Sequence, residues 1–490
     1  MKLIIKVRNC ILYGGVFLMF LIGCAAPVWA ALEADDIDVY VQGDRIDAIN
    51  DEDDEYRVQS NLVDIEVDNF PRADTVTIGG KEAEPDGHDW VVEDFELSPG
   101  ENKITVQVDN ESVDITIHYV DAAAPDSLYR VADISDQSEI EVFDGELKLE
   151  LGKNVILDKG RDEIADEQYL DISIYDHEYI RSRFNYVPAS KLYRISAADE
   201  DYTLLNDGRL TLKHNVKNIG RGLDTLTVLW FKDYDGKPNW SVYENLGGTV
   251  NRDDNTITVT LPKNGFGFYG VFNVVGNFND FYMGNENVRW SYTYVMPLYA
   301  KGIMEPLNPG SGSFGLVTWD GREQPITQGE FATMLSKAME LPYRKITGYN
   351  RDYYHSYNHS SYITSGRDPY VEASASHGLL NGLHFSPNNI LSREQAAVMV
   401  VRAANLKIYD DLDIINRITK KIYTDADSIS PWAKPYVYAC YRTKFMRGAW
   451  DPNHKYRYRF NPHQPLTRAQ AAKIVYELII RNNQDAEQNK

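Results

Sequence analysis

Leu466–Thr467–Arg468–Ala469–Gln470 reads as the start of a helix. An apolar residue precedes a hydroxyl residue, and Gln follows three positions later. This is the capping-box pattern: the hydroxyl accepts from the N3 amide and the N3 side chain reaches back to the cap's own amide. Two upstream stretches repeat it, Ile326–Thr327–Gln328–Gly329–Glu330 and Leu391–Ser392–Arg393–Glu394–Gln395. Apolar residues follow at offsets of 0, 1, 3 and 4: Phe331, Ala332, Met334, Leu335; Ala396, Ala397, Met399, Val400; Ala471, Ala472, Ile474, Val475. Those offsets share one helical face. The chain is expected to form three capped helices.

A second anchor has the same periodicity. Tyr294–Val295, Tyr370–Val371 and Tyr436–Val437 lie in earlier helical stretches. Eight residues after each Tyr stand Gly302, Gly378 and Lys444, followed by Ile303–Met304, Leu379–Leu380 and Phe445–Met446. Two of the units continue with Gly382 or Gly448 and then Phe385–Ser386–Pro387 or Phe460–Asn461–Pro462. Each unit is helix, loop, capped helix. One such unit cannot bury its apolar face alone, whereas three can pack about a shared axis.

Trp432–Ala433, Tyr436–Val437 and Thr467–Arg468–Ala469–Gln470 together resemble the S-layer homology (SLH) domain. The resemblance covers roughly residues 280–481, in repeats at 280–345, 346–410 and 411–481. It implies an all-α three-repeat helical bundle that binds an anionic, often pyruvylated, secondary cell wall polysaccharide without covalent attachment. By that resemblance the sites lie in grooves between repeats, near the turns at Gly378 and Gly382 or at Lys444 and Gly448. The first unit departs from the pattern, with Gln328 in place of Arg.

The chemistry of the capped helices is compatible with that ligand. Arg393 and Arg468 fall at the first helical position, where the helix dipole disfavours a cation by a few tenths of a kcal/mol. A bound anion would offset this, since Arg offers a planar fork and the free amides add donors. Such a charge-assisted contact is worth roughly 1.5–3 kcal/mol. Trp290 and Trp432, four residues before their Tyr, are candidates to cover a sugar face, with Gly366 in that place in the second unit. The structural alternatives are a salt bridge for the arginines and inter-repeat core for the tryptophans. The candidate ligand set is Arg393, Arg468, Trp290, Trp432, Gly382, Gly448, Lys444 and Gln328.

The N-terminus carries Lys2, Lys6 and Arg8, an apolar run from about Ile11 to Ile22, and Val28–Trp29–Ala30–Ala31. It reads as a secretory signal peptide over 1–30, cleaved after Ala30. Leu21–Ile22–Gly23–Cys24 also resembles a lipoprotein box, so lipidation of Cys24 is the alternative. Cys10 leaves with the signal, and Cys440, in an apolar helical run, reads as a buried thiol. No Cys/His spacing resembles a zinc site, and His355 and His359 lie in a Tyr/Ser/Asn-rich loop without a carboxylate pattern. No metal or cofactor is expected.

Charge divides the chain. Residues 31–120 carry 26 acidic and 5 basic residues, whereas 281–490 carry 25 basic and 19 acidic. A basic terminal module on an acidic chain suits an anionic polymer. Residues 31–120 alternate with period two, as in Thr75–Gly79, Ile104–Val108 and Val113–Ile117, between turn signals such as Gly79–Gly80 and Pro99–Gly100. They predict a β-sandwich resembling bacterial Ig-like or cadherin-like modules. Asp51–Glu55 has the oxygens for Ca²⁺ but no EF-hand spacing, and a solvated loop is the plainer reading. Residues 126–278 predict a second β-sandwich, from Leu147–Leu151, Leu210–His214 and Ile257–Leu261. Its Gly265–Phe272 strand reads as core, with Trp230, Trp240 and Tyr243 as the aromatics available to a sugar cleft. The chain shows no nucleophile elbow, P-loop, dinucleotide glycine pattern or HExxH, and no enzyme is expected. The expectation is an exported surface protein of the cell wall. The rival is a carbohydrate-binding or carbohydrate-processing protein using the repeats only for placement; other surface-layer proteins are possible partners, nucleic acid is not.

Overall fold

The computed structural model describes residues 32–488 except 42, 47, 49–54, 126, 132–133, 135–138, 153–154, 159–162, 165–168, 176–185, 198–201, 205–207, 218, 220–223, 263–264, 277, 282–285, 309–310 and 343–368. The signal segment, Asp51–Asp54, His355, His359 and Gly366 therefore lie outside the described residues. No helix among the described residues is long and apolar enough to cross a membrane.

The chain divides into two compact units. The first takes the residues up to Arg57, Val63–Phe95 and Glu101–His118. Its strands are β1 (Ile37–Val41), β2 (Asp44–Ile46), β3 (Glu55–Val58), β4 (Leu62–Val67), β5 (Val76–Ile78), β6 (Lys81–Glu82), β7 (Glu84–Asp86), β8 (Asp89–Glu96), β9 (Gly100–Val108) and β10 (Glu111–Tyr119). They form two five-stranded sheets, ordered β2-β1-β4-β8-β7 and β3-β10-β9-β5-β6. The alternation in the sequence becomes burial: Ile104, Val106, Val108, Ile115 and Ile117 are buried while their neighbours along the strands are not. Val76 pairs with Val108 and Ile78 with Val106, which puts the apolar residues on one face.

The second unit runs from Tyr119 onward, with Val58–Leu62 and Glu96–Gly100. It starts with β11 (Leu128–Val131), β12 (Glu139–Val142), β13 (Leu147–Glu150), β14 (Ile156–Asp158), β15 (Glu163–Ile164), β16 (Leu170–Tyr175), β17 (Tyr186–Ala197) and β18 (Tyr202–Leu204). Next come β19 (Arg209–Lys213), β20 (Leu226–Tyr234), β21 (Lys237–Gly247), β22 (Thr249–Asn251), β23 (Thr256–Thr260) and β24 (Gly267–Val274). A six-stranded sheet, β11-β16-β17-β24-β20-β21, and a five-stranded one, β12-β13-β19-β23-β22, carry one core, with Ile172, Ile195, Val228 and Val271 from the first and Leu149, Leu210, Leu212 and Ile257 from the second.

The helices follow: α1 (Glu286–Arg289), α2 (Tyr292–Ala300), α3 (Gln328–Ala338), α4 (Pro369–Ser376), α5 (Arg393–Ala403), α6 (Leu412–Ile422), α7 (Lys434–Thr443) and α8 (Arg468–Gln488). They pack on the outer face of the six-stranded sheet. Leu192, Leu229, Phe231, Phe268 and Phe272 share one core with Val295, Leu298, Phe331 and Leu335. This explains β24, in which every residue but Asn273 is buried. A strand covered on both faces reads as a continuous apolar run. The sequence placed a boundary between 278 and 280, but the core runs across it. The Lys301 ammonium, buried at the end of α2, donates to Asp224 at 2.7 Å and to the Leu226 carbonyl at 2.8 Å, and the Asn245 amide donates to the Tyr299 carbonyl at 2.9 Å.

Candidate binding site at the capped helix ends

All three predicted caps form. Thr327 accepts from the Glu330 amide at 3.1 Å, Ser392 from the Gln395 amide at 3.3 Å and Thr467 from the Gln470 amide at 3.3 Å. The return half of the box forms at Ser392, whose amide donates to Gln395 Oε1 at 3.0 Å. Glu330 and Gln470 turn elsewhere, for a reason the ring of caps supplies.

The residues just before the caps close a ring of backbone bonds. Ile326 N–H donates to the Leu466 carbonyl at 2.9 Å, Leu466 N–H to Leu391 at 2.9 Å, and Leu391 N–H to Ile326 at 3.0 Å. The first helical side chains close a second ring. Gln328 donates to Gln395 Oε1 at 3.3 Å, Arg393 to Gln470 Oε1 at 3.0 Å, and Arg468 to Glu330 Oε1. Each N1 side chain meets the N3 side chain of another cap. A guanidinium draws Glu330 and Gln470 away from their own caps because a charge-assisted bond is about twice as strong as a neutral one.

The two arginines differ in what they meet. Arg468 is 1% exposed. It pairs with Glu330, donates to the Glu305 carbonyl at 2.6 Å, and lies 5.6 Å above the Phe314 ring. Burial pushes its guanidinium down to about 9, against the opposing pull of Asp280 and Glu305. The expectation that Arg468 grips an external carboxylate is thereby corrected: its anion is Glu330, inside the protein. Arg393 is half-buried. It donates to the Phe460 carbonyl at 2.8 Å and lies 5.4 Å above the Phe460 ring. Burial lowers its pKa as well, partly offset by Tyr423 and Asp425. No carboxylate pairs with it among the described residues.

The other expected residues take three kinds of place. Gln328 is buried and accepts from the Ser386 amide at 2.9 Å, so it is a strut of the ring. Trp290 and Trp432 are 42% and 48% exposed, which makes them surface rings and not inter-repeat core. The Trp290 indole donates to the Asn287 carbonyl at 2.7 Å. Lys444 is exposed and left-handed at φ 67°, matching Gly302 and Gly378 at the same place in their units. Gly448 also has positive φ, and a Cβ there would lie 2.5 Å from the Arg459 carbonyl, so it serves the turn. Gly382 is exposed, with open space around a would-be Cβ.

Sequence reasoning missed Glu330 as a partner, the Phe314 and Phe460 rings under the arginines, and a second set of cations. Lys337 and Arg402, ten residues after their caps, lie 5.1 and 5.4 Å above the Tyr370 and Tyr436 rings. Lys337 donates to the Gly302 carbonyl at 2.8 Å and Arg402 to the Asn381 carbonyl at 2.6 Å. The shared ten-residue offset was the signal available.

The aromatics offered for a sugar cleft in the second sandwich are used in packing. Trp230 donates to the Phe266 carbonyl at 3.3 Å, and Trp240 and Tyr243 pack on Phe231. In the first unit, Glu66, Asp68 and Asp89 bring one carboxylate oxygen each within 4.8 Å of the others. Burial and like charge raise the pKa of Glu66 and Asp68. Cys440 is a free, buried thiol, as expected, with its pKa raised by burial.

Residues 422–472 match the S-layer homology domain. Three curated relatives share part of the chain. An endoglucanase of Bacillus sp. (strain KSM-635) is 26% identical over 194 residues, 40% of this chain and 18% of the relative. Exoglucanase XynX of Acetivibrio thermocellus is 27% identical over 191 residues, 38% and 16%. The surface-layer 125 kDa protein of Lysinibacillus sphaericus is 26% identical over 207 residues, 42% and 15%. The chain therefore spans less than a fifth of the length of each.

Proposed function

We propose that the chain is a cell-wall or surface-layer protein in which three tandem S-layer homology repeats give non-covalent anchorage to an anionic, pyruvylated wall polysaccharide; the match of residues 422–472 to that domain and the likeness to a surface-layer protein support the reading. In this reading the repeats are the three units whose caps close the ring, and the β-sandwich modules are what the anchor displays. The observation that carries the ligand assignment is Arg393: a half-buried cation at a helix N-terminus that bonds an amide oxygen and a carbonyl and, among the described residues, pairs with no carboxylate. A ligand carboxylate would supply the missing charge through the guanidinium; the first-turn amides expected as further donors are already spent, those of Arg393 and Glu394 on the Gln464 and Pro462 carbonyls at 3.1 Å and that of Gln395 on Ser392. Exposed Lys444 and Trp432 are further contacts we assign to the polymer, whereas Gly382, beside the Asn381 carbonyl that Arg402 engages at the other end of α5, and Gly448, which serves its turn, are assigned no part at Arg393. Arg468, whose charge is paired with Glu330, and Gln328 are struts, so the sites are unequal.

The reading is one of binding and display, without catalysis. The names endoglucanase and exoglucanase belong to proteins of which this chain matches a small part. The rival, a carbohydrate-processing protein placed by the repeats, draws support from those names alone. The test is co-sedimentation of the full mature chain with purified cell walls, before and after the secondary polymer is stripped. The helical part shares its core with the second sandwich, so the whole chain is the proper reagent. Binding that requires both the polymer and Arg393 is expected. Undiminished binding to stripped walls would overturn the proposal.

A further inference from the structure

The loop before the first cap is longer than its counterparts. Phe314 and Phe460 each lie beneath the guanidinium of an arginine from another unit, at 5.6 and 5.4 Å. Thr327 follows Phe314 by thirteen residues, whereas Ser392 and Thr467 follow Phe385 and Phe460 by seven. The six extra residues make a tight hairpin. Val317 bridges Glu323, Thr318 N–H donates to the Arg322 carbonyl at 2.8 Å, and Gly321 N–H donates to the Thr318 carbonyl at 2.9 Å. The Thr318 hydroxyl receives the Arg322 amide at 3.1 Å, and Asp320 pairs with Arg322 at 2.7 Å.

This braced hairpin carries Trp319, which is 98% exposed. No other large apolar side chain among the described residues is so bare. Its indole N–H makes no hydrogen bond among the described residues. Trp319 lines a cavity of about 400 Å³ together with Leu307, Val317, Asn308 and Gln324. That volume lies in the range of about 300–1,000 Å³ typical of small-molecule sites. Asp320 and Arg322 cancel each other's charge, so the rim is polar without net charge.

We propose that the Trp319 hairpin and its cavity bind a neutral hexopyranose unit of a glycan, separately from the anionic site at Arg393. An aromatic ring presented on a braced hairpin matches the apolar C–H face of a pyranose ring. The indole N–H, the Asn308 amide and the Gln324 carboxamide oxygen match its hydroxyls. An acidic sugar would find no unpaired cation here, in contrast to the helix end at Arg393.

The test is isothermal titration of the full mature chain with a panel of neutral hexasaccharides: cellohexaose, laminarihexaose and mannohexaose. At least one is expected to bind. Trp319→Ala should weaken that binding at least about tenfold, as expected for losing an aromatic platform. Trp319→Phe should stay within about threefold of wild type, because it keeps a ring. The fold is not at risk, since Trp319 packs on nothing. Arg393→Ala should leave this binding unchanged while lowering wall binding, which separates failure here from failure of the anchor. No binding by the wild type to any member of the panel, or equal affinity in Trp319→Ala, would overturn the proposal.

Discussion

Arg468 and Arg393 stand at the same place in the first turn of equivalent helices, each stacked on a Phe ring and each reaching the N3 side chain of another cap. For Arg468 that side chain is Glu330; for Arg393 it is Gln470. One charge is neutralised inside the protein and buried, and the other is left half-buried with no paired carboxylate among the described residues. The difference between carboxylate and amide at one position separates a paired arginine from the one proposed above as the binding group. A motif therefore does not by itself tell which copy is left with an unpaired charge; the residue facing it does.

The comparison can be broken most severely at the strut. Arg468→Ala leaves Glu330 in a largely buried place without its partner, and breaking such a pair costs about 3–5 kcal/mol. Urea unfolding of the full chain should show that loss. Arg468→Met with Glu330→Leu should recover most of it, because apolar replacement removes both charges together. Arg393→Ala should cost less, roughly 1–3 kcal/mol, since it removes charge-assisted bonds to Phe460 and Gln470 but orphans no carboxylate. Equal destabilisation by the two single substitutions would erase the distinction.

Gln470→Glu sharpens it from the other side. It gives Arg393 the partner that Arg468 already has. Stability should hold or rise by about 1 kcal/mol, within the range for a partly exposed pair, and a lower unfolding midpoint would count against the geometry. Trp432→Ala should shift stability least, by no more than about 0.5 kcal/mol, because its ring is a surface ring. Thermal melts would measure this, and a large drop would return Trp432 to the core.

Much of the local structure was legible in the sequence because it depends on neighbours. Thr327, Ser392 and Thr467 cap their helices, and Gly302, Gly378 and Lys444 share a left-handed backbone. Period-two runs such as Leu147–Leu151 and Ile257–Leu261 became strands with those residues inside. The pairing of Arg468 with Glu330 was not legible, because 138 residues separate them and a capping box already gives Glu330 a local role. The shared core was also hidden. The Gly267–Val274 run signals burial on both faces, but nothing in it tells that helices cover the second face. The Trp319 hairpin shows in the sequence only as a longer gap between Phe314 and Thr327.

The most direct test compares wild type with Gln470→Glu and Arg393→Ala by calorimetric titration with the purified anionic wall polymer. Gln470→Glu keeps the fold and the arginine and changes only whether that arginine is already paired. The account predicts affinity at least about tenfold weaker than wild type for both variants. Wild-type affinity in Gln470→Glu would contradict it, because the polymer would then not depend on an unpaired Arg393.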